Sequence, residues 1–420
     1  MLQKASLPVR DIDKYRMLLG SELIDEIKAL AQDLKGLRLC HINSTPFGGG
    51  VAELLSSLIP LARGVGIKAD WQVIRGDRRF FTITKSLHNA LQGSPYPLIE
   101  KEATRRAYIA NNAENARELD LNYDIFIVND PQPAALRHFC EGDHAKWIWR
   151  CHVDSSEPDE ATWQFLSPYV EEYDAAVFTM EKFVPANLRL NLYSHRLPSI
   201  AIIAPAIDSL STKNMTLPST ICREVLDNLN VDKNRPLISQ ISRFDPWKDP
   251  FGVMLVHRLA KERVPGLQLA LITSFAGDDP EAWDIYAAVH EEADKDPDIH
   301  IFSNLTGVGN MEVNAFQSAS GVVIQKSIKE GFGLVVAEAL WKETPVVAGN
   351  TGGIPLQMAG ALEQYLITTI EECAEKVAYL LQNPELAKEL GKQGKEHIKH
   401  NFLMPRLLRD ELALIKNLMG

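Results

Sequence analysis

Short runs of consecutive apolar residues recur along the chain, and each is followed by a longer stretch whose apolar positions return every third or fourth residue. An unbroken apolar run suits a strand of a parallel sheet buried on both faces, and the longer period suits a helix with one core-facing stripe. The alternation predicts an α/β fold built on parallel sheets. GLRLCHIN, DIFIVND, KWIWRCHVD, AAVFTM and IAIIAPAI are the strands expected in the first half; PLISQIS, LQLALITS, IHIFSN, GVVIQ and TPVVAG are those of the second. Two sheets imply two domains, and a chain of 420 residues is long enough for two cores. Residues 208–214, DSLSTKN, are polar and aperiodic between Pro205 and Pro218. The boundary is therefore expected near residue 210, giving domains over 1–210 and 211–403 and a final helix over about 404–420.

Glycine interrupts this alternation most informatively in EGFGLVVAE, residues 330–338, between a strand run and an apolar helical pattern. The turn Gly331-Phe332-Gly333 leaves backbone amides, up to that of Leu334, open at a helix start, which is a seat for an anion. Glu330 stands at its mouth, and Glu338 lies about 7 Å further along the helix. Carboxylates on both sides of an anion seat suit a ligand that carries a sugar, a diphosphate and a ribose in that order. Seen alone, the same letters also describe a glycine turn and two solvated glutamates.

SRFDPWKD, residues 242–249, follows the strand run PLISQIS and precedes another helix. It places Arg243 and Lys248 at a strand's carboxyl end, where α/β proteins collect ligands. Two cations there can hold a diphosphate and neutralise it as it leaves, a task otherwise given to a divalent metal, so no metal is expected. Gly48, Gly49 and Gly50 follow the strand GLRLCHIN and open a helix, which makes them either a plain loop or a close approach to a ligand. They do not form GxGxxG, and hydride-transfer chemistry is not expected. His152 ends the strand KWIWRCHVD between Arg150 and Asp154 and could donate a hydrogen bond to a sugar hydroxyl. Asp130 and Gln132 in NDPQP offer paired hydrogen bonds to sugar hydroxyls, or simple turn chemistry. Lys85, His88 and Asn89 are polar positions in an otherwise apolar stretch.

SRFDPWK and EGFGLVVAE together resemble the donor-site motifs of retaining glycosyltransferases of GT-B architecture, two Rossmann-like doubly wound domains facing across a cleft, in the family that includes sucrose and glycogen synthases. HINSTPFGGGVAE, KSLHNALQG, NDPQPAAL and WIWRCHVD resemble one branch, the trehalose glycosyltransferring synthases, which join glucose from a nucleotide-glucose to free glucose. The likeness runs from about residue 10 to the end. It implies metal-independent transfer with no cofactor, with ADP-, UDP- or GDP-glucose, glucose and trehalose as ligands. Glu330, Arg243, Lys248 and His152 would be the catalytic group. Gly49, Gly50, Gly331, Phe332, Gly333, Leu334 and Glu338 would contact the donor, Glu338 through its ribose, and Asp130, Gln132, Arg150, Lys85 and Asn89 the acceptor. The last helix would cross back onto the first domain, and a homodimer would be in keeping with the family.

The alternatives are a retaining trehalose phosphorylase that uses glucose 1-phosphate and a non-catalytic sugar-nucleotide sensor. A ribose-binding Glu338 speaks weakly against the first, and leaving-group cations beside Glu330 against the second. After Gly352-Gly353 the chain reads IPLQMAGALEQYLI where related enzymes carry a DGxTGxLV-like turn, so base preference is the least legible property.

Composition narrows the setting. With 44 basic and 55 acidic residues the net charge is -11, which argues against nucleic acid as a partner. Five scattered cysteines with no CxxC pair are expected to be reduced core residues of a cytoplasmic protein. The N-terminus carries no apolar stretch typical of a signal peptide, and no apolar run is long enough to span a membrane.

Overall fold

The computed structural model describes residues 1–140, 144–189, 197–275 and 282–420. The chain forms two compact units, Met1–Ala206 with Met404–Gly420 in one, and Ile207–Phe275 with 282–403 in the other.

The first unit holds seven strands: β1 (Gln3–Lys4), β2 (Arg38–Asn43), β3 (Lys68–Val73), β4 (Ile125–Asn129), β5 (Lys146–Cys151), β6 (Ala175–Phe178) and β7 (Ser199–Ile202). Their order is β1-β3-β2-β4-β5-β6-β7, parallel throughout except for β1, which pairs antiparallel with β3. The sheet is buried on both faces, as unbroken apolar strands require. Cys40, Ile42, Phe126, Val128, Trp147 and Trp149 point into one core. Leu39, Ile125, Ile127 and Ile148 point into the other, where Leu407, Leu408, Leu412 and Ile415 of the helix Met404–Met419 cover them.

The second unit holds β8 (Leu237–Ile241), β9 (Gln268–Thr273), β10 (Ile299–Ser303), β11 (Val322–Gln325), β12 (Val346–Gly349) and β13 (Leu366–Ile367), all parallel in the order β10-β9-β8-β11-β12-β13. The ten strands expected from apolar runs are all present. Three others escape that pattern. In β3 the polar Lys68, Asp70 and Gln72 alternate with apolar residues, and β1 and β13 are two residues long.

All five cysteines are free and buried. Among the described residues no helix is long and apolar enough to cross a membrane.

Candidate active site

In each unit the chain leaves a central strand to one side and returns on its other side. In the second unit it runs from β8 to β9 and β10, then re-enters beside β8 as β11, so the loops that follow β8 and β11 open side by side. These loops are the two motifs singled out in the sequence.

After β8, Asp245 caps the short helix Pro246–Lys248 by accepting from the Trp247 amide at 2.9 Å. Asp249, at a left-handed φ of 49°, caps the helix Pro250–Lys261 through the Gly252 amide at 3.0 Å. The loop after β11 is sewn to this one. The Ile328 amide donates to the Trp247 carbonyl at 2.7 Å and the Lys326 ammonium pairs with Asp249; from β8 itself, Gln240 Nε2 donates to the Lys248 carbonyl at 2.7 Å.

The stitching brings Lys248 Nζ to 2.6 Å from Glu330 Oε2. The same oxygen accepts from Ser327 Oγ at 3.0 Å and Gln325 Nε2 at 3.2 Å, while no donor among the described residues takes Oε1. Arg243 lies half-buried on the same loop as Lys248.

The glycine turn follows directly. Gly333 has φ 81° and begins the helix Leu334–Trp341 without a side-chain cap. No acceptor among the described residues takes the amides of Gly331, Phe332, Gly333 or Leu334. A Cβ on Gly352 would stand 1.6 Å from the Glu330 carbonyl oxygen, so the Gly352-Gly353 pair lies flush against the turn from the other side. Gln357 Nε2 donates to the Phe332 carbonyl at 2.6 Å, and the Phe332 ring packs on Phe402 at 5.3 Å. The turn therefore leaves its amides available while the Phe332 carbonyl and ring are held by Gln357 and Phe402.

Glu338 is placed differently from the sequence expectation. Its side chain has 0 % exposure, with Lys213 Nζ at 2.7 Å from Oε1 and Gln317 Nε2 at 2.9 Å from Oε2. Burial works to raise its pKa, but Lys213, Lys342 and Gln317 outweigh that and hold it below the ordinary value. In this structure its two oxygens face Lys213 and Gln317, and the carboxylate does not meet solvent.

In the first unit the chain passes from β2 to β3 and returns on the far side of β2 as β4. Asn129 ends β4, and its Nδ2 donates to the carbonyls of Ile42 at 3.0 Å and Ile127 at 3.3 Å. This fixes the amide so that Oδ1 faces His152 Nε2 at 3.0 Å. Nε2 therefore carries the proton, and Nδ1 is left as an acceptor. Burial, then the charges of Arg150 and His41, hold the His152 pKa well below 6.5, so the ring is neutral. Asp130, at φ 66°, accepts from the His152 amide at 2.8 Å through Oδ1.

The depressed His152 pKa has a stability consequence. Above pH 6.5 the folded and unfolded chains are both neutral at this residue and it contributes nothing. Below it the unfolded chain gains a proton that the folded one refuses, which costs about 1.4 kcal/mol per pH unit. Denaturant melts at pH 7.5 and 5.5 should show wild type losing about 1 kcal/mol more than His152→Gln across that interval.

Residues 41–185 match the family described as "Trehalose synthase, N-terminal domain", and residues 223–397 match "Glycosyl transferases group 1". A trehalose synthase from Rubrobacter xylanophilus is 48 % identical over 100 % of both chains. The chain belongs to the trehalose synthase family. Another member, from Thermococcus litoralis, is 44 % identical over 97 % of each chain. A UDP-forming alpha,alpha-trehalose-phosphate synthase from Burkholderia xenovorans, solved with glucose-6-phosphate, superposes with a TM-score of 0.69 at 14 % identity, covering 91 % of this chain and 100 % of that one. The fold is GT-B, and the protein is a glycosyltransferase.

Not every expected residue in this trehalose synthase family member joins a site. Arg150 was expected at the acceptor, but it is 3 % exposed with Nη1 at 3.3 Å from Glu411 Oε2 and Nη2 at 3.4 Å from the Ile203 carbonyl. A guanidinium so enclosed is spent on the fold. Lys85, His88 and Asn89 lie half-buried on the helix Arg78–Leu91, where Lys85 and Asn89 share a face, and Asn89 Oδ1 is buried with no partner among the described residues. The side-chain oxygen of Gln132 is likewise buried and has no partner among those residues. Gly49 caps the helix Gly50–Gly64, and neither glycine is buried. Sequence reasoning missed Gln325, Ser327, Lys213 and Glu411. For Gln325 and Ser327 a signal existed, since polar letters end the otherwise apolar run GVVIQKS.

Proposed function

We propose that the protein transfers a glucosyl unit, with retention and without a metal, from a nucleoside-diphosphate glucose to free glucose, forming trehalose reversibly. The observation that carries this reading is the Lys248–Glu330 pair set beside four backbone amides that no acceptor among the described residues takes. A Lys ammonium has three N–H donors, and Glu330 uses one; the others can serve a diphosphate oxygen. With Arg243 and the amides of residues 331–334, they stabilise the diphosphate as the bond to the anomeric carbon lengthens. Glu330 Oε1 accepts a donor-glucose hydroxyl and favours the oxocarbenium-like charge on the sugar. The acceptor hydroxyl attacks from the face the phosphate leaves and passes its proton to a phosphate oxygen.

The second unit thus binds the donor. The first contributes Asp130, Gln132, Lys85 and Asn89 toward the acceptor and His152 toward the donor sugar, the histidine now accepting from a hydroxyl through Nδ1 rather than donating. Gly49 and Gly50 add backbone amides at a helix start. Glu338 supports the donor helix from beneath by holding Lys213. Glu338→Gln should therefore lower stability by about 1–3 kcal/mol in denaturant melts and leave the donor KM within about twofold. A KM raised tenfold with unchanged stability would restore the ribose role.

Incubation with glucose and each of ADP-, UDP- and GDP-glucose, and separately with glucose and glucose 1-phosphate, tests the reading. Trehalose is expected from at least one nucleotide donor. Trehalose from glucose 1-phosphate alone would make the protein a phosphorylase, and product from none would make it a sensor.

A further inference from the structure

We infer that Gln325 and Ser327 are positioning residues that fix the rotation of the Glu330 carboxylate, so that one oxygen is anchored inward and the other is presented to substrate. Three donors converge on Oε2: Lys248 Nζ at 2.6 Å, Ser327 Oγ at 3.0 Å and Gln325 Nε2 at 3.2 Å. Gln325 Nε2 also donates to Ser327 Oγ at 3.0 Å, so the hydroxyl hydrogen is directed onward to Glu330. Gln325 is 2 % exposed and Ser327 is 5 % exposed, while Glu330 keeps 8 %. The two supporting side chains are thus more enclosed than the carboxylate they hold.

A carboxylate on a three-torsion side chain would otherwise sweep a wide cone, and ordering it at the moment of reaction would cost rotamer entropy. Anchoring one oxygen removes that cost in advance, which is what a charge-stabilising group needs if it is to act without reorganising. The anchors arise from the end of β11. Gln325 is its last residue, and Ser327, two positions on, returns to the same side. Lys326 between them points elsewhere and pairs with Asp249, which caps the neighbouring helix. One tripeptide therefore sets the carboxylate with two of its side chains and the loop bearing Lys248 with the third.

This inference rests on the reading of Glu330 given above, and the tests separate the two. With whichever donor the wild-type protein uses, Ser327→Ala should lower kcat about ten- to a hundredfold and leave the donor dissociation constant within about twofold. Gln325→Leu, which fills much the same space without the Nε2 donor, should likewise lower kcat and leave the donor dissociation constant within about twofold. A side chain that only fills space would not split kcat from donor affinity in this way. Unchanged kcat in both variants would overturn the assignment. If the wild type uses no donor at all, the functional reading fails, and a crystal structure of Ser327→Ala decides the inference by itself. A Glu330 carboxylate rotated off its present position supports it, and an unmoved one refutes it.

Discussion

Replacing Glu330 by alanine is expected to lower kcat for trehalose formation by roughly 10²–10³-fold, the usual effect of deleting one preorganised group that meets charge developing in the transition state. The side chain has no competing structural duty large enough to account for such a loss, since its bonds run to Lys248, Ser327 and Gln325 on the two loops of the site. Removing it frees Lys248 rather than stranding it, because the ammonium is 21 % exposed and can take up water. Folding should therefore survive, which a thermal melt checks. Donor affinity should fall much less than kcat, because in the proposed function the amides of residues 331–334 and the remaining cations hold the diphosphate. Steady-state rates at saturating donor, set beside a calorimetric donor dissociation constant, separate the effects. A kcat within about threefold of wild type would remove Glu330 from the chemistry.

That Glu330 and Lys248 meet was legible in the sequence, because strand-ending motifs on either side of a topological switch point have to lie together. Their separation of 82 residues is bridged by sheet order, which sets the two loops side by side. Glu338 shows the limit of the same reasoning. Spacing along a helix gives depth, yet the direction in which a side chain leaves the helix depends on what packs around it. Here that is Gln317 on the helix Asn310–Ala319 and Lys213 in the polar segment 208–214, neither of which the motif contains.

Arg150 shows a second limit. Along β5, Trp147 and Trp149 face one core and Ile148 the other, so a period of two sends Arg150 to the side of Ile148. His41 on β2 falls on that same side, opposite Cys40 and Ile42. Period alone thus placed two polar residues against an apolar layer without showing what would satisfy them. The partner is Glu411, 261 residues beyond Arg150, and no local pattern announces it.

Glu411→Ala is accordingly expected to be strongly destabilising to the first unit. Glu411 is 2 % exposed, on the face of the helix Met404–Met419 that carries Leu407, Leu408 and Leu412 into the core. Its Oε1 lies 3.1 Å from His41 Nε2 and its Oε2 3.3 Å from Arg150 Nη1. Those partners are 1 % and 3 % exposed, so water cannot replace the lost carboxylate. Deleting one member of a buried pair leaves an uncompensated charge and costs about 3–5 kcal/mol. For a unit of this size that is a fall of roughly 6–20 °C in its melting temperature.

The effect carries a pH signature. Burial works to raise the Glu411 pKa, but His41 and Arg150 outweigh it and bring the net value below the ordinary 4.5. A carboxylate lowered in the folded state contributes stability that is present above 4.5 and is lost as pH falls through its folded pKa. The gap between wild type and Glu411→Ala should thus be full at pH 7 and narrow on acidification below 4.5. A gap that stays constant into that acidic range would mean that Glu411 acts by filling space, and that its charge does not hold the last helix in place.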